Sequence, residues 1–277
     1  MIMEVLSPSS IETYIIPSLS VGSRGKTNDL PMLEIVQAIL YRVKTGCQWR
    51  SLPIKQFFGN TSYTWQGVYY HFSQWIADDS WRNAFIALLK RNPRAIDVSS
   101  VQLDASHTPA KRGGEAVGYQ GRKRCKTTNI AVLSDSKGTP LSHATPRSGE
   151  HHDTFEIEHV LREMIALLHE ANINVEGIFL NADAAFDTAL VRSVCAEFGI
   201  EANIPVNPRT GDGLDRDEYF DEELYKQRPV IEHTFAWMDG FKGLLVRYET
   251  KLKHWTAMNL IGFIIIFIRR VLNLKKS

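Results

Sequence analysis

"FLNADAAFDTAL", Phe179 to Leu190, closes an apolar run and then sets two aspartates, Asp183 and Asp187, four residues apart with small residues between them. The run from Val175 to Leu180, broken only by Glu176 and Gly177, reads as a buried strand, and "TALVRSVCAEFG" behind it reads as a helix ended by Gly199. A carboxylate where a strand leaves the core has two readings. It is a helix cap, because Asp accepts hydrogen bonds from the free N–H groups of a first turn. Or it is a cation ligand, because strand ends in open α/β sheets are where ligand sites form. Taken alone, the cap is the better reading.

The flanks fix the fold class. Upstream, "AIDVSSVQLDAS" contains a strand ending at Asp104, and "TTNIAVLSDSKGTPLSHATP" reads as a hairpin turning at Ser134 to Gly138. "DTFEIEHVLREMIALLHEAN" is an amphipathic helix capped by Asp153 or Thr154. Downstream come the strand "IEANIPV", an acidic loop, and "RPVIEHTFAWMDGFKG", a helix with Pro229 near its first position, where proline fits. Hairpin strands followed by alternating strand and helix predict a mixed α/β sheet flanked by helices. The first hundred residues differ. Residues 1–28 read as an irregular lead-in. "DLPMLEIVQAILYRVKTG" is a helix started by Asp29 and Pro31 and stopped by Gly46, and "TWQGVYYHFSQWIADDSWRNAFIALLKRNP" is two helices broken near Asp78 and Asp79. The expected organisation is a small all-helical domain over 1–95 and an α/β domain over 96–277.

With 44% hydrophobic and 23% charged residues, the composition is that of a globular protein with a sizeable core. A net charge of +1 conceals segregation: residues 107–128 hold six lysines and arginines against Glu115, and residues 211–223 hold seven acids against Arg216. Cys47, Cys125 and Cys195 are scattered and odd in number, which excludes a disulfide framework and zinc spacing and points to a reducing compartment. The start, "MIMEVLSPSS", is not a signal peptide. "LIGFIIIFI", Leu260 to Ile268, is shorter than the ~20 residues a bilayer requires and reads as a core helix. No membrane partner is expected.

Three acids stand at element ends in this plan. Asp104 and Asp183 close strands, and Glu232 lies in the first turn of the late helix, so the three can converge on one sheet edge. Three carboxylates packed together repel and raise one another's pKa values. Hard divalent cations take oxygen ligands and would remove that repulsion, and a pair of them can activate water for attack on phosphorus.

These segments resemble the DDE transposases of bacterial insertion sequences. "VQLDAS" is similar to the segment carrying that family's first Asp, and "LNADAAFD" to the segment carrying its second. "YKQRPVIEHTFAWMDGFKG" matches the Tyr-x2-Arg-x3-Glu signature at Tyr225, Arg228 and Glu232, and the helical start, with "TGCQWRSLP" and "TWQGVYYHFSQW", is similar to the same group's N-terminal region. The resemblance covers most of the chain. It implies a ribonuclease H-like catalytic domain with Asp104, Asp183 and Glu232 as catalytic metal ligands for two ions, magnesium or manganese. It also implies Tyr225 and Arg228 as DNA-positioning residues, double-stranded DNA at terminal inverted repeats and at a target as partner, a homodimer on DNA, and a cytoplasmic, nucleoid-associated bacterial location. Two departures stand out: Ala184 and Ala185 replace the usual Lys-Gly, and the signature's later Lys position is Asp239, with Lys242 the nearest lysine. They keep open a DNA-binding repressor or inactive remnant, and a structure-specific nuclease of the same fold is the other alternative.

Other motifs are weaker. "GYQGRKRCK" places Arg122, Lys123, Arg124 and Lys126 within five positions and suits phosphate contact better than a merely solvated turn. "GEHHDTFE", with His151, His152 and Asp153, reads as a loop entering a helix rather than a metal site, because adjacent side chains diverge and zinc pairs use wider spacing. Asp187 reads as a capping or supporting residue. Gln66, Tyr70 and Gln74 form a polar helix face that reads DNA ends or merely faces solvent, with little to separate the two.

Overall fold

The computed structural model describes residues 3–21, 30–207 and 219–272; Asp29 and residues 211–218 of the acidic loop lie outside them. Contacts divide the chain into two units, residues 1–91 with 238–277, and Asn92–Trp237.

The first unit begins with a helix where an irregular lead-in was expected. In α1 (Pro8–Tyr14) the Ser7 hydroxyl accepts from the Ser10 N–H, Pro8 occupies the first turn, and Ile11 is fully buried. Helix α2 (Met32–Thr45) ends at Gly46, whose φ of +68° supplies the left-handed cap. A Cβ there would also lie 2.9 Å from the Lys242 carbonyl carbon, so this close backbone approach needs glycine. Short α3 (Ile54–Phe58) leads to α4 (Trp65–Ala77), capped by Thr64, and α5 (Ser80–Arg91). The break between the last two is made by Asp78, whose Oδ1 accepts from both the Ser80 N–H and its hydroxyl.

The second unit is built on a sheet. Strand β1 (Ser100–Pro109) lies at its middle. Strands β2 (Gly118–Gln120), β3 (Cys125–Asp135), β4 (Pro140–His143) and β5 (Arg147–Ser148) precede α6 (Ile157–Glu170), and β6 (Phe179–Asn181), α7 (Ala189–Glu197) and β7 (Glu201–Asn203) follow it. β3 is antiparallel to β1 from Val101↔Asp135 to Pro109↔Thr127, and β4 is antiparallel to β3. β6 is parallel to β1, and β7 is parallel to β6. The order β4-β3-β1-β6-β7, three antiparallel strands and then two parallel ones each reached through a helix, is the ribonuclease H-like arrangement. The hairpin expected at Ser134 to Gly138 is present. Helix α6 starts later than expected, at Ile157 after Glu156 in a left-handed conformation, and Asp153 does not cap it. Asp153 instead accepts from Asn129 Nδ2 at 2.7 Å and pairs with His107. Short α8 (Glu222–Tyr225), a 3-10 turn at Arg228–Val230 and α9 (Ile231–Asp239) complete the chain through this region.

The C-terminal residues return to the first unit, with α10 (Lys242–Leu245) and α11 (Leu252–Ile266). Twelve of the fifteen α11 residues are buried, so the helix is apolar all round and serves as a core rod, packed on α5 with Phe85 and Phe263 rings 5.8 Å apart. The helical run Leu252–Leu272 is longer than the apolar stretch read from the sequence and has the length and composition to cross a membrane, but 72% of its most apolar window is buried within the protein. The sequence reading kept residues 238–277 with the sheet; here they pack with the N-terminal helices.

Candidate active site

The sheet of the second unit separates its faces by alternation. Val101, Leu103 and Leu180 are buried, and Val101 and Leu180 meet α6 and α7 around an apolar cavity that Leu161, Met164, Ile165 and Cys195 also line. The alternate positions, Ser100, Gln102 and Asp104 on β1, Asn181 on β6 with Asp183 just past its end, and Asn203 on β7, are all polar. Register places Gln102 beside Asn181 and Asn181 beside Asn203.

Asp104 is not at the end of its strand as expected. β1 runs on to Pro109 because its antiparallel partner β3 continues. The parallel partner β6 stops at Asn181, however, so Asp104 lies just beyond the last β1–β6 pair. There its Oδ2 accepts from Arg228 Nη2 at 3.0 Å, and the same nitrogen lies 3.8 Å from Asp183 Oδ2. One guanidinium nitrogen thus faces two carboxylates from different strands. Burial pushes the Asp104 carboxyl up to about 6, and the negative charges of Asp183 and Glu232 act in the same direction. The Ala105 N–H and Arg228 oppose that rise without cancelling it. Glu232, in the first turn of α9, is exposed and within electrostatic reach. Tyr225 is half-buried; burial raises its phenol, with Asp183 and Asp104 adding to the rise and Arg228 opposing it.

Asp183 satisfies both readings of the opening stretch. Its Oδ1 accepts from the Ala185 N–H at 2.8 Å and caps the 3-10 turn Ala184–Phe186, while Oδ2 turns toward Arg228. That cap comes from a backbone N–H, so it does not depend on the side chains at 184 and 185. Asp187 has a different job. It is buried, its Oδ1 accepts from Arg192 Nε and its Oδ2 from the Asn207 N–H, both at 2.8 Å. The cap of α7 is Thr188, through the Val191 N–H. Asp187 therefore fixes the loop after β7 and is not gathered with Asp104.

The basic residues Arg122, Lys123 and Arg124 occupy the turn between β2 and β3, Lys126 follows on β3 opposite Tyr119, and all four are exposed. The turn closes with the Arg124 N–H on the Gly121 carbonyl, and Lys123 Nζ donates to the His107 carbonyl at 2.6 Å. His151 stacks on Phe155 with centroids 3.6 Å apart. In the first unit, Gln66, Tyr70 and Gln74 are exposed on α4.

Two features escaped sequence reading. One is the chain of buried amides beneath the 221–228 segment, whose only signal was the alternation Ser-x-Gln-x-Asp and Asn-x-Asp. The other is Gly138, at φ +80°, where a Cβ would lie 2.9 Å from the Val230 carbonyl. This glycine lets the start of α9 settle on the β3–β4 turn, and Thr234 Oγ1 donates to its carbonyl at 2.6 Å.

Comparison with known proteins breaks the sequence near the same point, about residue 90, but keeps residues up to 268 with the second part. Residues 9–85 match the family described as a putative transposase of the IS4/5 family, and residues 89–268 match the transposase DDE domain. None of the curated protein sequences matches the chain. Among solved structures, it is similar to a pre-cleavage Mos1 transpososome, with 12% identity, 89% of this chain and 79% of the other covered, and a TM-score of 0.30. It is likewise similar to a Mos1 transposase paired-end complex with the left transposon end, with 13% identity, coverage of 88% and 78%, and a TM-score of 0.28. The match over residues 89–268 places the sheet, Asp104, Asp183, Tyr225, Arg228 and Glu232 within one family region, and the chain belongs to the DDE transposase family.

Proposed function

We propose that this transposase cuts DNA strands at the ends of its element and joins the freed 3′-hydroxyls to target DNA, with Asp104, Asp183 and Glu232 as ligands of one or two divalent cations, magnesium or manganese. The observation that carries the reading is the pair of aspartates from two strands turned toward a single positive nitrogen. The donors fit such ions: they are all carboxylate oxygens, which favour hard cations, and the half-buried Asp104 lacks full neutralisation. Among the described residues no three His, Cys, Asp or Glu side chains are gathered closely enough to hold one ion; Asp104 and Asp183 share Arg228, and Glu232 lies within electrostatic reach of Asp104. When bound, a divalent cation supplies charge for the reacting phosphate and acidity for the attacking hydroxyl or water.

The chain's own groups do the positioning. Arg228 presents a planar donor fork suited to phosphate oxygens, and Tyr225 offers a hydroxyl beside it. The exposed tip of the β2–β3 hairpin, with Arg122, Lys123, Arg124 and Lys126, holds the DNA backbone. Joining two ends calls for two copies on DNA, in keeping with a nucleoid-associated protein. The test is nicking of a plasmid carrying the element ends, with magnesium or manganese. Asp104→Asn, Asp183→Asn and Glu232→Gln are each expected to lose at least about a thousandfold in rate while still binding DNA, since amides replace anionic ligands poorly. Near-normal nicking by any one of them removes that residue from the site. End binding by the unaltered protein without metal-dependent nicking indicates a repressor or remnant, and nicking without joining indicates a nuclease.

A further inference from the structure

Residues 221–228 carry Tyr225 and Arg228, and buried amides hold them to the sheet. Asn203 Nδ2 donates to Asn181 Oδ1 at 2.7 Å and to the Asp221 carbonyl at 3.0 Å, and its Oδ1 accepts from the Asp221 N–H at 2.8 Å. Asn181 Nδ2 donates to Gln102 Oε1 at 3.0 Å and to the Leu224 carbonyl at 3.2 Å. Gln102 Nε2 donates to Ser100 Oγ at 3.0 Å, and Ser100 Oγ donates to Gln227 Oε1 at 3.3 Å. The grips fall at residues 221, 224 and 227, one helical turn apart, and Arg228 follows at once.

The four sheet residues are at most 1% exposed. Burying them is costly unless each polar atom is paired, and the pairing here is directional. Each amide donates toward the next residue and accepts from the one before, so turning over any single amide sets like groups against each other. Such a chain admits one register of the segment above it. An apolar face would grip the segment without choosing a register. We infer that Asn203, Asn181, Gln102 and Ser100 are positioning residues: they fix the 221–227 segment, and through it set the Arg228 guanidinium against Asp104 and Asp183. Asn203, on the strand beyond β6 from Asp104, then acts on the site without touching it.

The test uses the full-length protein and two variants. Asn203→Leu removes the bonds to Asp221 and Asn181, and Gln227→Ala removes only the exposed end of the chain, with little risk to folding. In hydrogen exchange read by mass spectrometry, Asn203→Leu is expected to speed exchange of amides 222–230 at least about tenfold, and Gln227→Ala about twofold to fivefold, with β1 and β3 unchanged. Unchanged exchange over 222–230, or loss of protection across the whole sheet by Gln227→Ala, overturns the inference. The second arm measures cleavage and rests on the function proposed above. Asn203→Leu and Arg228→Ala are each expected to slow cleavage, and the double variant to be no slower than Arg228→Ala alone, because one acts through the other. Multiplying losses overturn the inference, since they mean a general contribution to the fold. If Asn203→Leu does not fold, Gln227→Ala with Arg228→Ala decides by the same criterion. If the unaltered protein does not cleave DNA, the proposed function fails, and the exchange arm alone decides the positioning role.

Discussion

The two faces of one sheet carry opposite chemistry on the same strands. One face of β1 and β6 shows Val101 and Leu180 to α6 and α7, with Leu103 buried at the next alternate position, and these are held by non-directional burial. The other shows Ser100, Gln102, Asn181 and Asn203, equally buried, and these are held by hydrogen bonds that specify partner and orientation. Asp104 and Asp183 lie where the second face runs out from under β6. The contrast indicates a division of labour: the apolar face stabilises the unit, and the polar face spends stability on fixing where charged groups stand.

Exchanging chemistry between neighbouring residues tests that division most severely. Leu180→Asn puts an unpartnered amide among α6 and α7 side chains and leaves a void, and it is expected to cost about 3–5 kcal/mol. Asn181→Leu, one residue on, strands the Gln102 and Asn203 amides and is expected to cost about 1–3 kcal/mol. Denaturant melts of both variants give the comparison. A larger loss at 181 than at 180 would mean that the polar face, not the apolar one, carries the unit's stability.

Asp104 gives a smaller effect with a sign fixed by its environment. Its folded pKa of about 6 lies above the ordinary 3.8, so the folded state holds the proton more tightly than the unfolded chain does. The native state is favoured while Asp104 is protonated, and that contribution is lost as pH rises from about 4 through 6. Asn imitates the protonated acid. With chelator present, Asp104→Asn is expected to be about 1–2 kcal/mol more stable than the unaltered protein above pH 7, a figure reduced because Arg228 then leans on Asp183 alone. The gain should vanish below pH 4. A variant less stable at pH 8 would show that the bond to Arg228 outweighs burial.

Some of this was legible in the sequence because it depends on local order. The apolar run before Asp183 and the segment around Asp104 announce strands, and Pro229 announces the late helix start. What was not legible depends on partners distant in sequence. β1 continues past Asp104 only because β3 does, and the role of Asn203 appears only when Asn181 lies beside it. An all-round apolar helix such as α11 declares that it is buried but not against what, and its packing on α5 appears only in the fold. Asp183 and Asp187 are chemically alike, and distant partners tell them apart: Arg228 beside Asp183, Arg192 and the Asn207 N–H on Asp187.

The smallest expected effect on stability concerns the β2–β3 turn, which belongs to neither face. Arg122, Lys123, Arg124 and Lys126 are exposed and contribute little packing, so replacing all four by Ala is expected to change stability by no more than about 0.5–1 kcal/mol. DNA binding should respond differently. Each phosphate contact to duplex DNA releases condensed counterions and adds about 0.9 to the slope of log affinity against log salt. Lys123 already donates to the His107 carbonyl, so not every cation is free to take a phosphate, and the slope should flatten by roughly two to four units. Affinity should fall alike for element ends and unrelated duplex, because phosphate contacts position the protein without reading sequence. A salt titration on both DNAs, run beside Gln66→Ala with Gln74→Ala on α4, separates the roles: that pair should lower the preference for element ends and leave the slope nearly unchanged. An unchanged slope in the four-fold variant would return the turn to a solvated hairpin tip and move the DNA path elsewhere on the protein.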